Sequence, residues 1–281
     1  DNAGATPLHI CCATGANACI EALLAQGASA TKLLPDGSTP LHTAAIGGDQ
    51  RTVELLCKAG ASIAALNNEK RTPLHNCGIT GNAKVAAALI QQGAAVDGAD
   101  AEGCTPLMRA VMKNHAEVAR VVLDHGANPD VVDNQGRCAL VIHLTRPEIL
   151  RVLLAHGANT QLRTSNGNTL LHDAVLSKHP CEIWQVLAPK MSWATSVNND
   201  GVTPQMLAVQ RGLLPLLPDI LAKPSALKQR DHAGHSLLDY ASDALSCCDE
   251  RAVREEIRHL IRDAMARAAR RRMATRKAPQ Q

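Results

Sequence analysis

The chain repeats itself every 33 residues, and this period restricts its possible folds more than any other feature. Four hexapeptides, GATPLH, GSTPLH, KRTPLH and GCTPLM, place a threonine at each interval: Thr6, Thr39, Thr72 and Thr105. A Gly-Ala pair recurs with the same period, beginning at Gly27, Gly60, Gly93 and Gly126. A repeat of this size cannot bury its own apolar face, so neighbouring repeats must stack on one another.

The pattern weakens toward the C-terminus. Fainter copies, GRCALV, GNTLLH, GVTPQM and GHSLLD, fill the threonine position with Cys138, Thr169, Thr203 and Ser236. From about residue 145 prolines interrupt the pattern, among them Pro147 and Pro218. Because proline disturbs helices, we expect the stacking geometry to change from there onward.

Each repeat predicts two helices and a loop. Thr6 caps the free backbone N–H groups of the first helix, and Pro7 suits its first turn. Gly15 ends that helix, and a second apolar helical stretch ends before Gly27. The polar segment that follows contains turn signals and predicts a hairpin loop.

The 33-residue period and the Thr-Pro-Leu-His motif resemble the ankyrin repeat. The resemblance covers about 265 of the 281 residues, with four close copies of the motif and four degraded ones. It implies an all-α ankyrin-repeat solenoid of about eight helix-turn-helix units with hairpin loops. The implied repeats start near residues 1, 34, 67, 100, 133, 164, 198 and 231. They form one domain, residues 1–265, followed by a basic and flexible C-terminal tail, residues 266–281.

The histidine of the motif raises the question of catalysis. His9, His42, His75 and His172 occupy this position. A catalytic histidine needs a nucleophile or a carboxylate at one unique place, and a residue that recurs every 33 positions has none. In ankyrin repeats this histidine ties the helix start to neighbouring loops. We therefore predict that the chain is not an enzyme and that it has no catalytic residue and no cofactor.

Cys11, Cys12 and Cys19 cluster around His9, and such residues could ligate zinc. Cys11 and Cys12, however, stand where the next repeat carries two alanines, and cysteine is a good small core residue. No Cys-x-x-Cys pair supports a metal site, so we predict none. Ten cysteines without disulfide spacing indicate reduced thiols and hence a cytoplasmic or nuclear location.

Composition supports a folded chain without a membrane span. Hydrophobic residues make up 46% and charged residues 20%, which is ordinary for a soluble protein. No apolar run reaches the length that a membrane helix needs.

The resemblance implies a partner on the concave face, which the loop tips and the exposed sides of the first helices form. Carried over by position, the candidate partner-binding residues are Leu34, Asp36, Ile46, Glu69, Arg71, Ile79, Glu102, Arg109, Met112, Lys113, Gln135, Arg137, Arg146 and Trp193. Apolar side chains at Leu33, Leu34 and Leu66 favour a protein or peptide partner. The alternative is that each of them is partly covered by its neighbours. Trp184, inside a helical stretch, is predicted to lie in the core.

The C-terminal segment is basic. Residues 249–281 contain ten Lys or Arg and five Asp or Glu, and the basic tail proper includes Arg270, Arg271, Arg272, Arg276 and Lys277. Such a cluster could serve nuclear import, contact an acidic partner or nucleic acid, or simply be a solvated end. Because no aromatic residue accompanies it for base stacking, a nucleic-acid partner is not expected.

These features predict a monomeric protein-protein interaction module, a scaffold or adaptor without catalysis, that binds a protein or peptide on its concave face. The alternative is a regulatory or substrate-tethering segment of a larger protein, such as an enzyme, a channel or a host-targeted bacterial effector. Because Asp1 stands at the first position of a repeat, a fragment of a longer protein is compatible with the pattern.

Overall fold

The computed structural model describes residues 4–142, 147–177, 180–191, 196–222, 225–243 and 251–276. This part of the chain contains sixteen α-helices and, instead of strands, three isolated β-bridges. It confirms the all-α repeat solenoid. The chain divides into two compact units, Asp1–Asn159 (unit 1) and Thr160–Gln281 (unit 2), where the sequence analysis treated residues 1–265 as one domain.

Unit 1 consists of paired helices, one pair per repeat. The first helices are α1 (Pro7–Thr14), α3 (Pro40–Gly47), α5 (Pro73–Thr80), α7 (Pro106–Lys113) and α9 (Ala139–Ile142). The second helices are α2 (Asn17–Ala25), α4 (Gln50–Lys58), α6 (Ala83–Gln91), α8 (Ala116–Asp124) and α10 (Pro147–Ala155). Each first helix packs on the next first helix, and each second helix packs on the next second helix.

The core of unit 1 lies between these two layers. The leucine of each motif is buried there, and these leucines are Leu8, Leu41, Leu74 and Leu107. Apolar residues of the second helices, such as Val53 and Leu89, face the same core. Burial of this apolar surface drives the stacking, because no single repeat encloses a core of its own.

Unit 2 contains α11 (Leu170–Leu176), α12 (Pro180–Leu187), α13 (Pro204–Gln210), α14 (Leu217–Leu221), α15 (Leu237–Asp243) and α16 (Arg251–Arg276). Helices α11, α13 and α15 stack in order, and α14 and α15 pack against α16. Pro218 stands in the first turn of α14, where proline is tolerated. Because proline disturbs the interior of a helix, this second helix begins only here and has five residues. Trp184 of α12 is fully buried, which confirms its predicted place in the core.

The helix starts follow the motif. The hydroxyl oxygen of Thr39 accepts a hydrogen bond from the backbone N–H of His42, and Pro40 fills the first helical position. Thr6, Thr105 and Thr203 cap their helices in the same way. A threonine cap contributes about 1 kcal/mol to helix stability, so the repeats that carry this threonine begin at a point that their own sequence specifies.

Left-handed residues end several first helices. Gly81 ends α5 with a φ of +85°, and an added Cβ there would lie 2.6 Å from the ring of His115. Asn114 takes the equivalent position after α7 with a φ of +62°. Asparagine tolerates this conformation better than other residues with a side chain, which explains how the fourth repeat dispenses with glycine.

The tail departs from expectation. The flexible segment predicted from residue 266 begins instead as helix, because α16 continues without a break from Arg251 to Arg276. Alanine, arginine and methionine fill most of its second half, and the sequence from Arg251 to Arg276 contains no glycine or proline. Those residue types have high helix propensity, so the helix continues beyond the last buried turn.

Candidate functional site

Three of the four motif histidines, His42, His75 and His172, link neighbouring repeats. The backbone N–H of Thr39 donates to Nδ1 of His42 at 3.2 Å, and Nε2 of His42 donates to the carbonyl oxygen of Arg71 in the next repeat at 2.9 Å. His75 makes the same bond to the carbonyl oxygen of Cys104 at 3.1 Å. Since both ring nitrogens are used by the backbone, these histidines have no nitrogen left for a substrate.

Burial keeps these rings neutral. Loss of hydration lowers the pKa of His9, His42, His75 and His172 below the ordinary value, although their hydrogen bonds to backbone carbonyls oppose the shift. A neutral ring can accept at Nδ1 and donate at Nε2 at the same time, as the cross-repeat bonds require. The structure thus gives the histidine the structural role that the resemblance implied.

The candidate binding surface is the inner face of unit 1. We define it by three positions in each repeat, counted from the motif threonine: six residues before it, four after it and seven after it. These residues are Leu33, Leu66, Ala99 and Val132; Ile10, Thr43, Asn76 and Arg109; and Ala13, Ile46, Ile79 and Met112. The loops and first helices adjoin here, since Arg109 of α7 contacts the loop residues Asp100 and Glu102.

Large apolar side chains on this face are open to solvent. Leu33, Leu66 and Val132, at the same position of three loops, are 55%, 57% and 55% exposed. Ile46 of α3 is 61% exposed, and Ile10 of α1 is 51% exposed. Because stacked helices lie about 10 Å apart, the loop residues Leu33, Leu66, Ala99 and Val132 form a row across four successive repeats, in which Ala99 separates Leu66 from Val132. Clusters of exposed apolar groups are typical of interaction surfaces.

The predicted site residues differ in their exposure. Those that are exposed are Asp36, Ile46, Glu69, Glu102, Lys113 and Gln135. Those that are half-buried are Leu34, Arg71, Ile79, Met112 and Arg137. Arg109 is buried, with only 8% of its surface exposed. Arg146, Trp193 and Lys277 lie outside the described residues. Arg270 is exposed, and Arg271, Arg272 and Arg276 belong to α16.

A carboxylate in the third loop restrains two of the arginines. Asp100 is buried and accepts hydrogen bonds from the backbone N–H groups of Glu102 and Cys104 at 2.9 and 3.0 Å. Its Oδ2 lies 2.7 Å from Nε of Arg109 and 3.6 Å from Nε of Arg71. Glu102 adds a second ion pair to Arg109 at 3.1 Å, and Glu69 pairs with Arg71.

The electrostatics of this cluster favour the ionised carboxylate. Burial by itself would raise the pKa of Asp100, but the hydrogen bonds from Arg109 and from the N–H of Cys104 outweigh it, and the pKa is lowered. Asp133 repeats the arrangement in the next loop, where Arg137 donates to its Oδ2 from Nε at 2.9 Å and from Nη2 at 2.7 Å. Its pKa is lowered as well, against the effect of burial.

These pairs change what the arginines can do. Arg71, Arg109 and Arg137 are among the candidate partner-binding residues, yet each is already paired with a carboxylate of its own surface. They hold the loops against the first helices and present guanidinium groups whose charge is largely compensated. The inner face therefore offers a partner its exposed leucine, isoleucine and valine side chains rather than unpaired arginines.

The sequence analysis missed two exposed apolar residues, Ile10 and Val132. Val132 stands at the loop position of Leu33 and Leu66, and Ile10 stands at the helix position of Arg109. Alignment of the repeats by the motif threonine places Val132 with Leu33 and Leu66, but it does not reveal Ile10, because Arg109 at the same position is buried.

Within the described residues, no group of three or more His, Cys, Asp or Glu side chains is arranged to hold a metal ion. Among the helices described, none has the length and apolarity that crossing a membrane requires.

The sequence matches one known family. The family model described as ankyrin repeats, in three copies, matches residues 1–67 and again residues 59–133. The matched region therefore lies wholly within unit 1. No curated protein is similar enough to the chain to count as a match.

Proposed function

We propose that this chain, of which residues 1–133 match the ankyrin repeat family model, is a binding module that holds a protein or peptide against the inner face of unit 1 and performs no chemistry itself. Ankyrin repeats are generally protein-protein interaction modules. The finer statements, that this chain acts as a scaffold or adaptor and that this face is the site, rest on the features of the face described above.

One observation carries the proposal. Leu33, Leu66 and Val132 occupy the same loop position in three repeats, and each exposes more than half of its surface. Exposing large apolar groups in register is unfavourable for a protein without a partner, because burying such a side chain gains about 1.5–3 kcal/mol. A partner that covers this row recovers that free energy.

The proposed partner is mainly apolar where it meets the loops. The nearby charges are compensated within the protein, so a highly charged ligand would have to compete with Asp100 and Asp133 for the arginines. A segment with two or three apolar side chains spaced to reach successive repeats fits this surface better.

The proposal extends to the compartment, the cytoplasm or the nucleus. Its support is that Cys12 and Cys77 are fully buried as single thiols at positions where α3 carries alanines. Burial raises the pKa of Cys12 to about 12, which keeps the thiol protonated and unreactive at neutral pH. These cysteines serve as small core residues, in keeping with a reducing compartment.

The test is capture of partners from cell lysate with the full chain, followed by titration of the purified partner. The double variant Leu33→Ser, Leu66→Ser removes two members of the exposed row and leaves the ion pairs intact. We expect it to weaken binding at least about tenfold, because each removed contact contributes about 1 kcal/mol or more at an interface centre.

The matched control is Met265→Ser, which removes an exposed apolar side chain of unit 2, 40% exposed, and should leave binding unchanged. Equal binding by the wild type and the double variant would place the site elsewhere. The arginines are poor probes for this purpose, since reversing one would leave Asp100 or Asp133 buried without its partner.

A further inference from the structure

Unit 2 contains an apolar groove beside its last helix. The groove has a volume of about 470 Å³ and lies between α16 and the segment around α14. Its floor and walls include Leu214, Leu217, Leu221 and Leu227 on one side and Leu260 and Ala264 on the other. This volume lies in the range of sites that bind ligands or inserted side chains.

Helix α16 presents one stripe of residues to this groove. Glu256, Leu260, Ala264 and Arg267 line it, and their spacings of three and four residues place them on one helix face. The adjacent stripe, Ile257 and Ile261, is fully buried against unit 2 and holds the helix in place. The groove stripe is therefore the margin of a firmly packed helix, with exposed Glu256 and Arg267 at its ends and half-buried Leu260 and buried Ala264 between them.

Opposite charges stand at the two ends of the groove. Glu256 and Arg267 are both exposed, and eleven residues, or about 16 Å of helix, separate them. Arg267 donates only to the carbonyl oxygen of Asp263 in its own helix, at 3.4 Å. Within the described part of the chain neither side chain forms an ion pair. An occupant of the groove should carry an apolar middle, a cation at one end and an anion at the other.

We propose that the occupant is a second copy of this chain, with the two α16 helices antiparallel across the groove. Antiparallel pairing about a twofold axis places Glu256 of each copy opposite Arg267 of the other. The same axis brings Leu260 of each copy toward the leucine-lined groove of its partner. A twofold interface must be self-complementary, and this stripe meets that condition.

The charge of the rest of α16 explains why the antiparallel arrangement is selected. The helix contains nine arginines and three acidic residues, a net charge of +6 with His259 neutral. Five of the arginines follow Ala264 without an acidic residue among them, so a parallel pair would bring these basic ends together. The antiparallel register separates the basic ends and makes two opposite-charge pairs, which is how charges select one arrangement over another.

The proposal differs from the sequence-based expectation of a monomer and concerns a surface separate from the inner face of unit 1. One helix and one groove on each copy give an interface at the small end of the known range, so the dimer is weak and forms at micromolar or higher concentrations.

The experiment is sedimentation equilibrium of the full 281-residue chain from about 1 μM to about 1 mM. A salt concentration of about 0.15 M leaves direct ion pairs in place and screens the more distant arginines. Four samples are compared with the wild type: Glu256→Arg, Arg267→Glu, the double variant that exchanges both charges, and an equal mixture of the two single variants.

Each single variant should weaken the dimer at least about tenfold, since two attractive pairs become two repulsive ones. The double variant should return to within about threefold of the wild type, because the exchanged pairs attract again. The mixture should form a heterodimer, since one variant carries only cations at these positions and the other only anions. Arg262→Glu, the same reversal at an exposed residue of α16 outside the groove, is the matched control and should change the affinity less than about threefold.

Three results would overturn the proposal: a wild type that stays monomeric throughout the range, single variants that dimerise like the wild type, or a control that weakens the dimer as much as Arg267→Glu. All the exchanged side chains are exposed, so circular dichroism and thermal melts should show unchanged folding, and loss of association cannot be attributed to unfolding.

Discussion

Unit 1 and unit 2 differ in how often a histidine stands three residues after the cap of a first helix: three times in unit 1 and once in unit 2. In unit 1 the rings of His42 and His75 bond both to their own cap and to the next repeat. In unit 2 only His172 does so, reaching the carbonyl oxygen of Val202 at 2.9 Å. At the equivalent position Met206 has no such donor, and Asp239 instead accepts from the backbone N–H and hydroxyl of Ser236 at 2.6 and 2.7 Å.

The difference teaches that the cap and the link between repeats are separable. A threonine or serine with a partner three residues later is enough to start a helix, whether that partner is histidine or aspartate. Only the histidine also reaches across to the neighbouring repeat, because its second nitrogen points away from the cap. The helices that begin with His42, His75 and His172 therefore have local and cross-repeat bonds from one residue. Met108 in unit 1 and Met206 and Asp239 in unit 2 have no side-chain donor for the cross-repeat bond.

The largest expected effect comes from removing a buried leucine in each unit, and this experiment tests whether the two units are stabilised separately. Leu41→Ala in unit 1 and Leu171→Ala in unit 2 remove fully buried leucines at the same motif position. Each should lower the free energy of unfolding by about 3 kcal/mol through lost burial and a cavity. Because repeats contact only their neighbours, hydrogen exchange should rise mainly within the altered unit. Equal loss of protection in both units would show that they unfold as one.

The next effect concerns the ion pairs of unit 1. Arg109→Ala leaves Asp100 buried, with Arg71 3.6 Å away and two backbone donors as its remaining partners. We expect a loss of about 2 kcal/mol, less than for a fully isolated buried charge because those partners remain. Urea unfolding measures it. Arg51→Ala removes an exposed pair with Glu21 and should leave the midpoint unchanged, and equal shifts for both variants would contradict the role of burial.

A smaller effect isolates the cross-repeat bond. His42→Met gives α3 the residue that unit 2 carries at Met206, and it leaves the carbonyl oxygen of Arg71 without its 2.9 Å donor. We expect a loss of about 1–2 kcal/mol. Met108→Leu, at the same position of the fourth repeat, removes no such bond and is the control. If both substitutions cost the same, side-chain packing rather than the hydrogen bond stabilises this position.

The smallest effect is a difference in acid sensitivity. Burial lowers the folded pKa of His9, His42 and His75, so the unfolded chain binds more protons and unit 1 loses stability as the pH falls below about 6.5. Hydrogen bonds from Ser236 lower the folded pKa of Asp239. The stability that Asp239 contributes is therefore fully present above the ordinary aspartate pKa of 3.8, and it is lost only as the pH falls through the lower folded value.

Hydrogen exchange at pH 7 and pH 6 checks this difference. Unit 1, with three motif histidines, should lose more protection than unit 2, with His172 alone. The intrinsic pH dependence of exchange must first be removed by reference to the unfolded chain. A larger loss of protection in unit 2 would contradict the prediction that the buried motif histidines make unit 1 the more acid-sensitive unit.

The sequence by itself determined the repeat, the class of fold and the starts of the helices. It did so because each start depends on bonds within three residues: Thr39 and His42 meet through local backbone geometry, whatever surrounds them. The glycine that follows each second helix of unit 1 is equally local. The structural role of the motif histidine also followed from its periodicity, before any contact was known.

The tertiary structure decided which charges and which apolar groups remain free. Arg109 and Asp100 are nine residues apart, and Arg71 reaches the same carboxylate from the preceding loop, so the sequence offered three anchors where the fold has compensated pairs. Likewise Ile46 and Ile79 share one repeat position, yet Ile46 is 61% exposed and Ile79 is half-buried. Exposure and ion pairing depend on what the neighbouring repeat places nearby, and that is set by packing in space rather than by order along the chain.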